Sequence, residues 1–535
     1  MLTRRLFVGL FAGFCAVCQA GQGPAGELPP IQKVAINKHR ALEVNNQVFF
    51  PLMAWLQDAS NFQAVRDCGM NTVAGYWPKS SGTRDVTEYI ELVRKAGLYG
   101  VMPYHEGLKG HPALLAYIHD DEPDLPQQVS DAQVVPDKRL RINRSTPLWR
   151  IVDGVTHTWS VLDPLEGASV TIRLPQPVTA ESVAVWLTVS KGLAVARQVS
   201  FAADGREVLK VELANKAGQQ KFPLAKPVTF RELTFTVHSI YPGQNEWGSV
   251  GEIEAFDSQG KNVLLSPPRM EPRVMPARVM EQYRKMKAGD PSRPVFMTLT
   301  GYFHPHFGKW TDQQRQSLYP QYIKATDVVG YDIYPIYGWN KPEWIHLVYE
   351  ATGQLVEMAG NRPVYAWIET SKGGQWTGAL ENQKDVLPMH IRAEVWMAIC
   401  NGATAIGYFT HVWKPAYSQF GVPEENRKAL AEINRQITRL APAILAPPPR
   451  QQVAIKAEDD TKLAVLARQH DGALYLFAVN YDQRMRKARA TITIDGLVAG
   501  REVTVIDESR SVKAQQGKFI DEFEPLAVHI YRVEL

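Results

Sequence analysis

Eight short, β-rich apolar runs, most of them followed by a segment of helical period, constrain this chain more than any other feature. They span 49–55, 71–77, 100–105, 113–118, 295–300, 328–335, 364–369 and 403–411. Runs apolar on both faces belong in a parallel sheet covered on both sides, and eight in a row predict an α/β fold closed as a (β/α)8 TIM barrel. Helices are expected at 61–67, 86–96, 277–287, 313–325, 344–359, 390–401 and 425–440. The weakest joint is between strands three and four, where the connection is short for a helix.

Between strands four and five the pattern changes. Residues 132–268 carry short alternating runs such as 169–174, 182–187 and 232–237, broken by Gly, Pro and Asp turns, with no helical period. This predicts an inserted β-sandwich, a jelly roll. From about residue 450 the period is again two, after the proline linker 446–449, which predicts a C-terminal β-sandwich. The expected organisation is a signal peptide at 1–20, a discontinuous barrel at 33–131 and 269–445, the insert at 132–268 and the second sandwich at 450–535.

Arg4 and Arg5, the apolar stretch 6–17 and Cys18-Gln19-Ala20 read as a secretory signal, possible as a twin-arginine type, so a periplasmic or secreted protein is expected. No later run is long enough to span a membrane. A formal charge of +4 with both signs interspersed argues against nucleic acid as a partner. Of the four cysteines, Cys68 and Cys400 lie outside the signal, and both read as buried free thiols. No cofactor is expected.

Two strand tips carry chemistry. Strand four ends in His119-Asp120-Asp121-Glu122-Pro123, where the proline is expected to hold Glu122 extended, and strand seven ends in Glu369. Hydrolysis of a glycosidic bond needs one carboxylic acid to protonate the leaving oxygen and one carboxylate to meet the developing oxocarbenium ion. A Glu-Pro at strand four and a Glu at strand seven resemble the clan A glycoside hydrolases, which are retaining (β/α)8 enzymes. The resemblance implies Glu122 as acid/base and Glu369 as nucleophile, facing each other across the barrel mouth. It also implies that Tyr331 and Tyr334 hydrogen-bond the nucleophile and that Trp413 floors the cleavage subsite. Asp121 stands where the clan has Asn. Trp55, Tyr76, Trp77 and Tyr104 are further candidates for stacking on sugar rings, with His304 as a polar substrate contact.

Within the insert, Asp153-Gly154, Thr158-Trp159 and the segment 251–256 resemble the discoidin-type galactose-binding-like modules, which implies a sugar or a structural calcium there. The expected function is a retaining glycosidase acting on an oligo- or polysaccharide, with a leaning to β linkages. The alternatives are a non-catalytic carbohydrate-binding barrel and a metal-dependent hydrolase using His119, Asp121, His304 and His306.

Overall fold

The computed structural model describes residues 28–534, so the expected export signal lies outside the described residues. The chain divides into two compact units: residues 28–125 together with 273–534, and Pro126–Pro272.

The first unit contains a closed ring of eight parallel strands in the order of the chain. They are Leu52–Trp55, Thr72–Ala74, Tyr99–Pro103, Leu114–Ile118, Val295–Thr300, Val328–Asp332, Val364–Glu369 and Ala405–Phe409. Alternate residues fill the interior: Met53, Trp55, Val101, Ala116, Phe296, Tyr365, Trp367 and Ala405 belong to one buried cluster. Two large rings fit because glycine lies opposite each. A Cβ at Gly330 would sit 2.1 Å from the Tyr365 ring and one at Gly407 would sit 2.1 Å from the Trp367 ring. Large and small residues therefore interlock across strands six, seven and eight.

Helices follow every strand except the third, where only the turn Glu106–Leu108 precedes strand four, its Leu108 buried in place of a helix face. Local chemistry sets several helix starts. Asp85 accepts from the Thr87 and Glu88 amides to cap Val86–Lys95, and Thr311 with Gln314 forms a capping box on Asp312–Lys324. Strands are shorter than the apolar runs; strand two keeps only Thr72–Ala74 and strand six stops at Asp332. A three-stranded sheet, Val34–Ile36, Leu42–Val44 and Gln47–Phe49, was not foreseen. Its Leu42 and Val44 join the barrel cluster, and Phe49 meets Tyr99 edge-on at 5.3 Å.

After the helix Glu424–Ile444, a three-stranded and a five-stranded antiparallel sheet share one core that includes Leu474, Leu476, Ile492, Val503, Phe519 and Tyr531. They pack on the barrel helices through Trp396 stacked on Phe477 at 5.5 Å and Tyr349 stacked on Tyr481 at 4.1 Å. Cys68 and Cys400 are both free and buried. No helix among the described residues is long and apolar enough to cross a membrane.

The second unit is a seven-stranded antiparallel arrangement around one core of Val170, Ile172, Val183, Val185, Phe201, Phe235 and Ile253. Two of its strands are longer than the runs read from sequence: Ser169–Leu187 spans 19 residues and Gly218–Tyr241 spans 24, with register shifts that absorb their bends. The unit begins at Pro126 rather than residue 132, because Pro126–Val129 pairs with Arg269–Pro272.

Candidate active site

Strand four delivers a tightly held acidic turn. Asp124 is fully buried and accepts from the Thr300 amide (2.8 Å), the Thr300 hydroxyl (2.6 Å) and the Tyr319 hydroxyl (2.9 Å), which ties the turn to strand five. The Pro123 carbonyl accepts from Val274 at 2.8 Å and the Leu125 carbonyl from Arg273 at 2.9 Å. Glu122, directly ahead of these anchors, has φ +48°. The extended conformation expected from Pro123 is therefore overturned: the anchors that follow Glu122 impose a left-handed backbone that costs a non-glycine residue about 1–2 kcal/mol. The Arg273 guanidinium donates to the Asp121 carbonyl at 2.9 Å and to Glu122 Oε2 at 3.3 Å.

Asp332 completes the group. It ends strand six on the same face as Val328 and Gly330, and its carboxyl meets that of Glu122. Burial, then the charges of Glu122 and Asp121, hold Asp332 well above the usual carboxylate range. Burial and then Glu122 push Asp121 up to about 7. Three carboxyls with one guanidinium beside them retain a proton at neutral pH, so the group offers an acid and a base together. Asp121, Glu122 and Asp332 all keep partial solvent exposure.

Aromatic rings line the same end of the barrel. Tyr334 packs on Phe409 at 5.0 Å and Tyr337 at 6.0 Å, and Trp413 lies parallel to Phe409 at 6.0 Å and 9°. Trp77 stacks on Tyr417 at 6.3 Å, and Tyr417 also meets Trp413 at 5.5 Å. The Tyr337 hydroxyl is buried without a hydrogen-bond partner. Tyr334 and Tyr302 both feel the charges of Glu122 and Asp332.

Other expected site residues lie elsewhere. Tyr331 is corrected: one position out of phase with Asp332, it faces outward and donates to the Val348 carbonyl at 2.9 Å beside Thr352. Tyr104 is likewise corrected, since its ring packs on Tyr117 at 5.1 Å with its hydroxyl against Gly289. Tyr76 packs on Tyr89, and Trp55 lies in the barrel core on Trp367 at 5.2 Å. The metal alternative loses its ligand set. His119 is bonded to the Ala325 carbonyl at 2.8 Å, His304 pairs with Glu350 at 3.9 Å, and His306 packs on Trp344. No three His, Cys, Asp or Glu side chains among the described residues are grouped to hold a metal ion. Burial lowers His304 to about 4, which keeps it neutral.

Glu369 ends strand seven. Its carboxylate is fully buried, accepts from the Ile336 amide at 2.9 Å and the Tyr337 amide at 2.5 Å, and meets the carboxyl of Glu394. The backbone after strand six and the helix Pro388–Cys400 thus hold Glu369 against Glu394, while Glu122 meets Asp332. Asp332, Arg273, Tyr302 and Tyr337 were missed. Asp332 had a readable signal, an acid at even spacing from Val328 and Gly330, whereas Arg273 arrives only after the chain returns from the second unit.

In the second unit, Asp153 and Glu252 are buried with their carboxyls in contact. Burial and Asp153 push Glu252 up to about 8, and Glu252 Oε2 has no hydrogen-bond partner. The Thr158 hydroxyl lies 3.1 Å from Asp153. The two carboxyls and the hydroxyl are hard oxygen donors, the class of ligand that calcium takes. The same unit carries a cavity of about 440 Å³ lined by Arg141, Asn143, Arg144, Asp163 and Trp247 among others.

No family model matches the chain, and no curated protein matches it. Among solved structures it is similar to the CBM32-1, CBM32-2 and M60 catalytic domains of Clostridium perfringens ZmpB, with 11% identity over 26% of this chain and 17% of that one, TM-score 0.21. A CBM32 of AlyQ in complex with 4,5-unsaturated mannuronic acid gives 16% identity over 24% of this chain and 98% of that one, TM-score 0.20. An alpha-amylase from Geobacillus thermoleovorans, complexed with acarbose, gives 15% identity over 49% and 58%, TM-score 0.35. The matched regions thus span less than two thirds of the first and third of these proteins. At such scores and identities the likenesses carry neither fold nor activity to this chain.

Proposed function

We propose that the barrel is a glycoside hydrolase acting on an oligo- or polysaccharide, with β linkages the favoured class. The observation that carries this reading is the Glu122–Asp332 carboxyl contact at the C-terminal end of a parallel barrel, beside the aromatic rings of Tyr334, Phe409 and Trp413. A glycosidic oxygen entering beside the pair takes the proton that burial and the neighbouring charges keep on Asp332, and the bond from that oxygen to the anomeric carbon breaks. Glu122, the carboxylate beside the Arg273 guanidinium, bonds to the anomeric carbon. Asp332 then removes a proton from water, whose oxygen displaces Glu122 and releases the second sugar with retained configuration.

A second reading keeps Glu369 as the nucleophile. The supporting observation is that Glu369 ends strand seven next to Tyr337, whose ring meets Phe409 at 5.3 Å. Turnover of a panel of aryl glycosides and polysaccharides, with NMR of the first-formed anomer, tests both. Glu122→Gln and Asp332→Asn should each lower kcat on the order of 10²–10⁴-fold. If Glu369→Gln abolishes turnover while Asp332→Asn does not, the roles pass to Glu369. If the wild type binds glycans but Glu122→Gln changes no rate, the barrel is a binding protein. In the second unit, Asp153, Glu252 and Thr158 would hold a calcium ion, which neutralises the facing carboxyls and stiffens the loop.

A further inference from the structure

Trp376 is 87% exposed, far beyond any other large apolar side chain among the described residues, the next being Val498 at 56%. An indole held in water without function is uncommon, because its apolar area favours burial. Its loop is not loose. The buried Gln383 side chain accepts from the Gly373 and Gly374 amides at 2.8 and 3.1 Å and donates to the Gly374 and Gly378 carbonyls at 3.1 and 2.9 Å. On the next residue, the Thr377 hydroxyl donates to the Tyr337 carbonyl at 2.5 Å. Gln375 and Trp376 are thus the tip of a clamped turn, and the indole is presented rather than left to wander.

The turn is joined to the aromatic wall of the mouth. The Gly373 carbonyl accepts from the Trp413 amide at 2.9 Å and the Lys414 amide at 3.2 Å, and Lys414 Nζ also bonds Gly378. Trp413 is the ring that lies parallel to Phe409 and contacts Tyr417. Packed rings therefore run from Tyr334 over Phe409 to Trp413, whose backbone is hydrogen-bonded to the turn that carries Trp376.

We propose that Trp376 is a remote subsite that stacks on a pyranose ring of a glycan chain at a distance from the bond being cleaved, so that the substrate is a chain of several sugar residues. This inference rests on the carbohydrate reading of the mouth. The apolar face of a pyranose matches an indole face, and a turn hydrogen-bonded to the segment that carries Trp413 favours a chain lying across both over a second protein molecule.

The test uses the full chain and three variants: Trp376→Ala, Trp376→Phe, and Val498→Ala as a control at another exposed apolar position. Retardation in gels containing soluble β-glucan, xylan, galactan or mannan is measured in wild type and in a Glu122→Gln background, so that binding is read without turnover. KM is then measured along a ladder from aryl monoglycoside to hexasaccharide of the retarding glycan. The expected result is that Trp376→Ala reduces retardation and raises KM by about threefold to tenfold, the loss growing with chain length. Trp376→Phe should recover part of it. Equal losses at every length, or unchanged retardation, would overturn the subsite. So would no retardation by any glycan, or a wild-type dimer in sedimentation that Trp376→Ala dissolves. Failure of the glycosidase reading is distinct: retardation that depends on Trp376 without hydrolysis of any substrate keeps the subsite and removes the enzyme.

Discussion

The carboxyl groups of Glu369 and Glu394 meet inside the first unit, both fully buried, with no basic side chain beside either among the described residues. Two backbone amides partly satisfy Glu369, while neither oxygen of Glu394 has a hydrogen-bond donor. Such a pair is tolerated only when it holds a proton.

The pair makes stability depend on pH. Burial, opposed only by its hydrogen bonds, holds Glu369 up at about 7 instead of 4.5, and burial followed by the charge of Glu369 holds Glu394 well above it. The folded protein therefore binds more protons than the unfolded chain. This contribution is full below the unfolded value near 4.5 and is lost as pH rises through 7 and beyond. Glu394→Gln removes one charge and supplies a donor. Its unfolding free energy in denaturant titrations should match wild type near pH 5 and exceed it at pH 8 by on the order of a few kcal/mol.

Arg273 is the one cation bonded to the acidic turn among the described residues, and it lowers Asp121 against burial and Glu122. Arg273→Gln removes a charge-assisted contact of about 1.5–3 kcal/mol, so kcat/KM should fall about 10- to 100-fold. Asp121 should then titrate above its present value of about 7, and a pH–rate profile should show the limb associated with the acidic group moved to higher pH. An unchanged profile would remove Arg273 from the site.

Calcium should stabilise the second unit. Heating scans in millimolar calcium should show a higher Tm than scans in EDTA, and the difference should vanish in Asp153→Asn and Glu252→Gln. The calorimetric peak that moves identifies the unit involved. A chelator that lowers turnover at constant Tm would instead revive metal-assisted chemistry at the barrel.

The barrel interior has no room at two positions. Gly407→Ala would place a methyl group 2.1 Å from the Trp367 ring, and Gly330→Ala one 2.1 Å from Tyr365. Each should cost about 1–3 kcal/mol by overpacking, read from the denaturation midpoint. Trp367→Phe in the Gly407→Ala background should recover part of the loss, because the smaller ring can move aside.

The sequence by itself determined the eight apolar runs, their helices and the interruption between strands four and five, because period and burial are local properties that side chains write directly into the chain. It also located the acidic turn at Glu122. Only the tertiary structure decided which carboxyl Glu122 meets. Strand alternation turns Asp332 inward and Tyr331 outward, the amides of Ile336 and Tyr337 hold Glu369 against Glu394, and Arg273 returns from a distant part of the chain. The left-handed backbone of Glu122 was equally hidden, since long-range anchors at Asp124 and Pro123 outweigh the local preference set by the following proline.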